Sequence, residues 1–348
     1  MNNCYKTINI DNLKHNLTYL KNKLLANTKI CAVVKSNGYG HDTKTICSAI
    51  CDQVDYFAVS NNADAIFIKS FCKNTPCLVL TPLSEEKLKS AIKNNVVFCL
   101  QSFEEAKKLS TTAKSLNTTA LFHLKINTGM NRYGIDIKDL KSFFTQLKSL
   151  TNIQVCGIFS HLGDKKQRSL SQQKLFDEAI KLAPKNIISH LCNTQNLEIN
   201  KYDMVRIGIG LYGYGDKNLK PVMNIYAKIL AIQTIQKGEY IGYGLNNIAT
   251  KTTRIAVVGI GYANGLQRLW ARNGFVIIKN KKCKIIANIC MEAIIIDLCN
   301  IPAKIGDYVT ILSSYPTLNA NIIAQNCNTI EYEILTNFSN IPIKKIKN

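Results

Sequence analysis

Eight short apolar segments, separated by longer amphipathic ones, restrict the fold of this chain more than any other feature. The segments are KICAVV, YFAVS, PCLVLT, VVFCLQ, ALFHLKI, QVCGIFSH, NIISHLC and MVRIGIG. Each of the first six precedes a polar segment with helical periodicity, whereas the connection after the seventh is short and predicts no clear helix. Apolar runs separated by helices indicate parallel strands buried on both faces, and eight of them over about 190 residues predict a (β/α)8 TIM barrel of the α/β class.

The pattern of the sequence changes after about residue 217, where segments such as IYAKILAIQTI, RIAVVGIG, FVIIKN, CKIIANIC, AIIIDL and YVTIL follow one another across short turns. Strands joined by short turns predict a mostly-β C-terminal domain. We therefore expect a barrel over residues 1–220, which includes an extra N-terminal strand and helix in TINIDNLKHNLTYLKNKLL, and a β domain over residues 221–348.

The charge of the chain is strongly positive, at +21 from 44 Lys and Arg against 23 Asp and Glu. These basic residues are spread along the chain without a stripe that interleaves aromatics, so we expect no binding to nucleic acid. The 13 cysteines show no regular spacing and no CxxC, which is typical of core residues in a reducing compartment rather than of disulfides or zinc. With no signal-peptide h-region and no apolar stretch long enough to span a membrane, the sequence predicts a cytoplasmic protein.

The chemistry of a barrel enzyme lies at the C-terminal ends of its strands. The candidate residues at those ends are Lys35, Arg132, His161, Asn193, Thr194, Arg206, Gly208 and Ile209. Taken singly, Lys35 also fits a solvated residue after a strand, and His161 a structural histidine. Arg206 is harder to explain in this way, because a charge inside the MVRIG strand needs a buried acceptor.

A lysine and a phosphate site together point to one cofactor. A lysine at a water-poor barrel mouth is suited to forming a Schiff base. The loops after strands seven and eight form the usual phosphate site of barrels, where the hydroxyl of Thr194 and the backbone near Gly208 and Ile209 offer donors. This combination indicates pyridoxal 5′-phosphate. The G-x-G-x-x-G of Gly208, Gly210 and Gly213 is no dinucleotide motif, since strands rather than a helix follow it.

The same residues lie in motifs that resemble those of a known family. The segment AVVKSNGYGH resembles the lysine motif of alanine racemases. The other similar segments, in order, are KINTGMNRYG, GIFSHLG, SHLCNT, MVRIGIGLYG, IGYGLNN, GIGYANG, NICME and TIEYEILT. The resemblance covers nearly the whole chain, and Tyr243 precedes Tyr262 by the same 19 residues that separate the family's two C-terminal-domain tyrosines.

The resemblance implies a two-base mechanism. Lys35 would hold pyridoxal phosphate covalently and act as one base, and Tyr243, supplied by the partner subunit of a homodimer, would act as the other. Arg206 would face the pyridine nitrogen, and His161 would hydrogen-bond near Arg206 and Tyr243. Arg132 would meet the phenolic oxygen of the cofactor and the carboxylate of the substrate.

It also implies roles around the cofactor and the substrate. Met291 would receive the substrate carboxylate on its backbone, Tyr262 would line the entrance, and Lys125 matches a position that is a carbamylated lysine in many relatives. The implied cofactor-binding residues besides Lys35, His161 and Arg206 are Tyr39, Asn193, Thr194, Gly208 and Ile209.

The implied reaction is the interconversion of L-alanine and D-alanine, which supplies D-alanine for peptidoglycan. Two alternatives remain: a racemase of other or broader specificity on the same scaffold, and a non-catalytic carrier of pyridoxal phosphate, against which the C-terminal domain with Tyr243 argues. Five positions depart from the family pattern, namely Asn264, Glu292, Ser339, Asn340 and Ile341, and they leave cofactor affinity and the entrance less defined.

Overall fold

The computed structural model of the protein describes residues 3–163, 166–199, 201–244, 247–314 and 317–344. The chain divides into two compact units. One, which we call the barrel unit, comprises Asn16–Gly38 and Thr43–Leu211. The other, the β unit, takes in the chain up to His15, the segment Tyr39–Asp42 and the chain from Tyr212 onward. Among the described residues, no helix combines the length and apolar composition needed to cross a bilayer.

The regular elements alternate as the sequence predicts. The strands are β1 Cys4–Ile8, β2 Lys29–Val33, β3 Tyr56–Val59, β4 Cys77–Val79, β5 Phe98–Leu100, β6 Ala120–Asn127, β7 Ile135–Asp136, β8 Ile153–Phe159, β9 Ile188–His190, β10 Met204–Ile207, β11 Met223–Ile235, β12 Thr253–Val258, β13 Phe275–Ile278, β14 Lys281–Lys284, β15 Ile294–Asp297 and β16 Tyr308–Leu312. The helices are α1 Ile10–Lys21, α2 Lys35–Tyr39, α3 Thr43–Ile50, α4 Asn62–Phe71, α5 Leu88–Lys93, α6 Phe103–Ser115, α7 Leu140–Leu147, α8 Lys166–Leu182, α9 Ala320–Asn326 and α10 Glu331–Asn337.

Eight parallel strands of the barrel unit form a closed ring, which confirms the predicted barrel. Two parallel sheets, in the orders β10-β2-β3-β4 and β5-β6-β8-β9, contain all eight predicted segments. Parallel bridges between Leu78 and Val97 and between Asn193 and Arg206 join the two sheets at both seams. The strands are buried on both faces, as in Cys31–Val33 and Phe57–Val59, which is why their sequences are nearly continuous in apolar residues.

Helices follow the first six barrel strands, and only a 3-10 helix, Thr194–Ile199, follows the seventh. Ser102 caps the start of α6, because its Oγ accepts the N–H of Glu105 at 3.2 Å. The Glu105 carboxylate reaches back to the N–H of Gln101 at 2.8 Å, one residue before the position that a capping box uses.

The β unit contains a mostly antiparallel sheet in the order β14-β13-β16-β11-β12-β15. The sequence analysis grouped the N-terminal strand with the barrel, but β1 pairs antiparallel with β11, from Cys4 opposite Ala227 to Ile8 opposite Met223. This pairing joins segments more than 200 residues apart, which local sequence patterns do not reveal. The division of the chain at residue 220 remains a prediction.

Candidate active site

Lys35 lies just after the end of β2, where the backbone turns from an extended into a left-handed conformation. Residues 36–38 have φ between 53° and 61° and ψ between 46° and 53°, a left-handed turn. Such a conformation costs about 1–2 kcal/mol for each residue that carries a Cβ, so neighbouring contacts must hold it. One of them is the hydrogen bond from the N–H of Thr43 to Asn37 Oδ1 at 2.9 Å. Strained backbone of this kind concentrates at functional sites. Here the strained segment directly follows Lys35.

The Lys35 amine is poised to lose its proton more readily than a surface lysine. The side chain is half-buried, and burial, followed by the nearby charge of Arg132, lowers its pKa from the ordinary value of 10.5. The neutral amine is the form that attacks a carbonyl or accepts a proton. The structure therefore places the predicted Lys35 and Arg132 within electrostatic reach of each other in the barrel unit.

Arg206 in β10 is 4% exposed, and the interior of the barrel unit supplies its acceptors. Nη1 donates to His190 Nδ1 at 2.8 Å and to the His190 carbonyl at 3.1 Å. Nη2 donates to the Ser160 carbonyl at 2.7 Å, with the Leu191 carbonyl at 3.2 Å and His161 Nδ1 at 3.3 Å. These contacts use the four N–H groups of the two terminal nitrogens, so among the described residues only the Nε–H is left for a ligand.

The guanidinium retains its charge in this setting. Burial lowers the pKa of Arg206 to about 10, which still leaves it charged at neutral pH. The charge faces the Phe159 ring, whose centroid lies 5.4 Å from the Arg206 Cζ. Arg206 therefore presents a proton that it does not release to a ligand acceptor.

Lys125 is a second buried basic side chain next to the same ring. It is 6% exposed, and its Nζ lies 4.4 Å from the centroid of Phe159. Burial, together with the charges of Arg206 and Arg132, lowers its pKa well below the ordinary value. The lowered pKa favours the neutral amine, and the carbamylation that the resemblance suggests for Lys125 stays a prediction.

His161 follows β8 and faces the same positive charges. Burial, and then the charge of Arg206, lowers its pKa to about 2, so the ring is neutral. Its carbonyl accepts from Gln172 Nε2 at 2.9 Å, and Gln172 Oε1 accepts the N–H of Gly163 at 2.7 Å. The buried amide of Gln172, which sequence reasoning missed, thereby fixes the loop that carries His161.

Thr194 and the glycines after β10 form a small cradle. Thr194 Oγ1 accepts the N–H groups of Gly208 and Gly210, both at 3.3 Å. A Cβ on Gly210 would lie 2.7 Å from Thr194 Cγ2, so the close approach requires glycine. Asn193 precedes this turn and Ile209 lies buried within it. With both lone pairs of its hydroxyl engaged, Thr194 has its O–H to donate outward, which fits a phosphate oxygen.

Tyr39 belongs to the β unit, where its ring is 7% exposed and stacks on Tyr212 with the centroids 4.8 Å apart. Burial raises its pKa, so the phenol keeps its proton and is able to donate a hydrogen bond. The next residue is held by an unexpected buried cation, since Lys6 Nζ donates to the Gly40 carbonyl at 2.6 Å and to the Ser339 carbonyl at 3.0 Å. The departure at Ser339 thus lies on a backbone segment that Lys6 fixes.

Tyr243, Tyr262 and Met291 come together on one surface of the β unit. The Tyr243 carbonyl accepts from Asn247 Nδ2 at 2.7 Å and from Asn288 Nδ2 at 3.0 Å. The N–H of Tyr262 donates to the carbonyl of residue 290 at 3.1 Å, and the N–H of residue 263 to the Met291 carbonyl at 2.9 Å. The segment 288–291 therefore contacts both tyrosine segments, and the exposed fractions of Tyr243, Met291 and Tyr262 are 71%, 58% and 42%.

The predicted strand CKIIANIC departs from a regular ladder at this surface. β14 ends at Lys284, and the following residues are joined to β15 through the N–H of Ile286 and the carbonyl of Ile295 at 3.0 Å. Of the positions that depart from the family, Asn264 has a local role, because its Oδ1 accepts the N–H of Gly261 at 2.9 Å.

Three further residues of the site were missed by sequence reasoning, namely His123, Phe159 and His190. The sequence contained a signal for His123. It precedes Lys125 by two residues in ALFHLKI, and side chains at that spacing share one face of a strand. His190 is the last residue of β9, at the strand end where barrel chemistry is sought. Phe159 ends β8, and both Lys125 and Arg206 approach its ring.

These features define a class of protein, the barrel enzymes that use a lysine at the ends of the barrel strands. The family model described as "Alanine racemase, N-terminal domain" matches residues 8–216, and "Alanine racemase, C-terminal domain" matches residues 222–345. The alanine racemase of Francisella tularensis subsp. tularensis strain WY96-3418 is 32% identical over 96% of this chain and 97% of its own. The chain belongs to the alanine racemase family.

Solved structures agree with this assignment. The alanine racemase of Clostridium difficile 630 has a TM-score of 0.91 at 32% identity, covering 97% of this chain and 93% of its own. The alanine racemase of Bartonella henselae, solved with covalently bound pyridoxal phosphate, has a TM-score of 0.88 at 24% identity and covers 99% of both chains. At that identity the second likeness establishes the fold alone.

Proposed function

We propose that this chain interconverts L-alanine and D-alanine with pyridoxal phosphate held covalently on Lys35, and that it supplies D-alanine for peptidoglycan in the cytoplasm. The observation that carries the proposal is the arrangement in the barrel unit, where a lysine of lowered pKa accompanies an arginine whose contacts with the described residues leave one N–H to donate. All thirteen cysteines lie in the described part of the chain and carry free thiols, which fits a reducing compartment.

The chain offers a set of groups that fits the cofactor. Thr194 would donate its hydroxyl to the phosphate, together with the phenol of Tyr39 and the backbone at Ile209, with Asn193 shaping the turn before them. The N–H of Gly208 would exchange its 3.3 Å contact with Thr194 Oγ1 for a phosphate oxygen. When bound, pyridoxal phosphate withdraws electrons from the α-carbon of the amino acid and so makes its hydrogen acidic.

Arg206 and the two bases would govern where the proton goes. Because arginine donates its Nε–H without releasing it, the pyridine nitrogen would receive a hydrogen bond but no proton. Lys35 Nζ would take or return the α-proton on one face of the planar carbon, and the Tyr243 hydroxyl would act on the other face. Two bases are needed because one alone tends to return the proton to the side from which it came. His161 would lie between Arg206 and the tyrosine.

Three residues would bind the substrate carboxylate and balance the charge of the arginine that contacts it. Arg132 and the backbone at Met291 would bind the carboxylate. Lys125, buried with a strongly lowered pKa, is chemically suited to react with carbon dioxide, and the resulting carbamate would neutralise the charge of Arg132. Tyr262 would line the entrance.

We further propose that the active unit is a homodimer with shared sites, and the exposure of Tyr243 supports this. Its backbone is fixed by two asparagine amides, yet its side chain is 71% exposed in the single chain. A general base works poorly when fully hydrated, and large exposed apolar side chains such as Met291 and Tyr262 mark interaction surfaces. We propose that this surface packs against the barrel mouth of a second copy.

The test is turnover of L-alanine by purified protein, followed by polarimetry and by oxidation of the D-alanine formed. Wild-type protein should show a visible cofactor band that borohydride abolishes, with the label on Lys35. Lys35→Ala should lose the band and the activity, whereas Lys29→Ala, at the exposed start of the same strand, should keep both. A panel of amino acids separates an alanine racemase from one of broader specificity. A reducible band in wild-type protein without turnover of any amino acid would identify a carrier and refute the proposal.

A further inference from the structure

A pair of buried histidines extends from Arg206 into the barrel unit. His190 ends β9 and His123 lies in β6, and neither ring is exposed. Arg206 Nη1 lies 2.8 Å from His190 Nδ1, and His190 Nε2 lies 2.7 Å from His123 Nδ1. The guanidinium and the two imidazoles therefore form one hydrogen-bonded row.

The positions of the protons in this row follow from the chemistry of its first member. Arginine only donates, so His190 Nδ1 must accept, and the single proton of the neutral His190 ring lies on Nε2. That proton is donated to His123 Nδ1, which places the proton of His123 on its own Nε2. Both rings are neutral, because burial and the charge of Arg206 lower the pKa of His123 to about 3 and that of His190 well below its usual range.

The packing around His123 requires a glycine in the neighbouring strand. A Cβ on Gly157 of β8 would lie 2.5–2.6 Å from three ring atoms of His123. The His190 ring stacks on Phe159 with an interplanar angle of 1° and a centroid distance of 4.8 Å, which fixes its plane. The position of both rings is thus determined by the neighbouring strand.

The arrangement carries a cost that points to a role beyond stability. His123 Nε2 is buried and finds no hydrogen-bond partner among the described residues. An unsatisfied buried donor costs about 1–3 kcal/mol, so an apolar side chain of similar shape would stabilise the barrel better. What His123 provides that an apolar residue lacks is an acceptor for the N–H of His190.

We propose that His123 is a positioning residue for Arg206. By accepting the Nε2–H of His190 it selects the His190 tautomer whose Nδ1 accepts from Arg206, and it thereby keeps the Arg206 Nε–H directed to the cofactor ring. The last step rests on the proposed function, whereas the proton order in the row does not.

Removing the acceptor has a defined consequence. Without His123 Nδ1, His190 is free to carry its proton on Nδ1, where it would oppose the N–H of Arg206. The guanidinium then loses one of its acceptors and its hold on the pyridine nitrogen weakens. Racemisation should slow and transamination should increase relative to it, while the KM for alanine should change little.

The experiment compares His123→Leu with His123→Asn, whose Oδ1 replaces Nδ1 as the acceptor, and with His15→Leu, which removes an exposed imidazole. The first readout is the ¹⁵N spectrum of imidazole-labelled protein with and without cofactor, which is tractable because the chain has five histidines. Wild type and His123→Asn should show His190 protonated on Nε2, and His123→Leu should show loss of that single tautomer.

The second readout is kinetic. With one neutral hydrogen bond at stake, His123→Leu should lower kcat about tenfold and raise the ratio of transamination to racemisation, and His123→Asn should recover kcat to within about threefold. A wild-type His190 protonated on Nδ1 would overturn the proposal, as would a His123→Leu variant with unchanged tautomer and kcat. If His123→Leu fails to fold, the tautomer of wild type and His123→Asn decides. Absence of turnover by wild type refutes the proposed function instead.

Discussion

Thr194→Val offers a test of the phosphate cradle in which the magnitude follows from the structure. Valine keeps the shape of threonine, including the methyl group packed against Gly210, and removes only the hydroxyl. In the protein without cofactor the N–H groups of Gly208 and Gly210 lose their acceptor. Because both contacts are long, at 3.3 Å, we expect a loss of about 1–2 kcal/mol in the free energy of unfolding.

The loss in cofactor affinity should be larger than this loss of stability. A hydrogen bond from the Thr194 hydroxyl to a charged phosphate is worth about 1.5–3 kcal/mol, which corresponds to a Kd for pyridoxal phosphate raised about 10- to 150-fold. Equilibrium dialysis against apoprotein measures the Kd, and urea unfolding of the same apoprotein measures the stability.

Two variants control the measurement. Thr194→Ser restores the hydroxyl and should return the Kd to within about threefold of wild type, since the donor is the same. Thr119→Val makes the same chemical change at an exposed position and should leave both quantities unchanged. A Thr194→Val protein that binds pyridoxal phosphate as tightly as wild type would show that the hydroxyl does not contact the phosphate.

Three further predictions concern the charged groups of the barrel unit. Replacing Arg206 by Glu should allow the pyridine nitrogen to hold a proton, so racemisation falls and pyruvate-forming transamination rises relative to it; an unchanged ratio means that Arg206 does not face the ring. In apoprotein, competitive acylation should give Lys35 a pKa below 10.5, and Arg132→Leu should raise that pKa because a like charge is removed; a midpoint unaffected by Arg132→Leu contradicts the electrostatic coupling. ¹³C-labelled bicarbonate should give a carbamate signal that Lys125→Arg abolishes, and persistence of the signal in that variant assigns it elsewhere.

The barrel was predictable because its strands are buried on both faces and their apolar character is local to each segment. The pairing of β1 with β11 was not, since it depends on hydrogen bonds between chain segments more than 200 residues apart. The strand expected over CKIIANIC ends at Lys284, and here too a contact between separate segments is involved. The residues after Lys284 leave the ladder, and the Asn288 amide donates to the Tyr243 carbonyl.

The candidate site likewise combines residues that the sequence predicts with residues that it does not. Residues at strand ends, such as Lys35 and Arg206, were found because barrel chemistry concentrates there. The acceptors that make Arg206 possible were not found, because His190 Nδ1 and the Ser160 carbonyl reach it through the register of neighbouring strands. A sequence indicates that a buried arginine needs partners, but only the folded chain identifies them.

We expect each active site to combine Lys35 of one chain with Tyr243 of another. Lys35→Ala and Tyr243→Phe should each be inactive alone. When the two are unfolded and refolded together in equal amounts, about half of the dimers should be mixed on statistical grounds. In a mixed dimer one site collects both changes and the other collects neither.

The measurement is the racemase activity of that refolded mixture, with mixed dimers verified by native mass spectrometry. The shared site predicts recovery of about one quarter of wild-type activity, because half of the dimers carry one intact site of two. If Tyr243 served its own chain, every site would carry one change and no activity would return. Verified mixed dimers without activity would contradict a site shared between two chains.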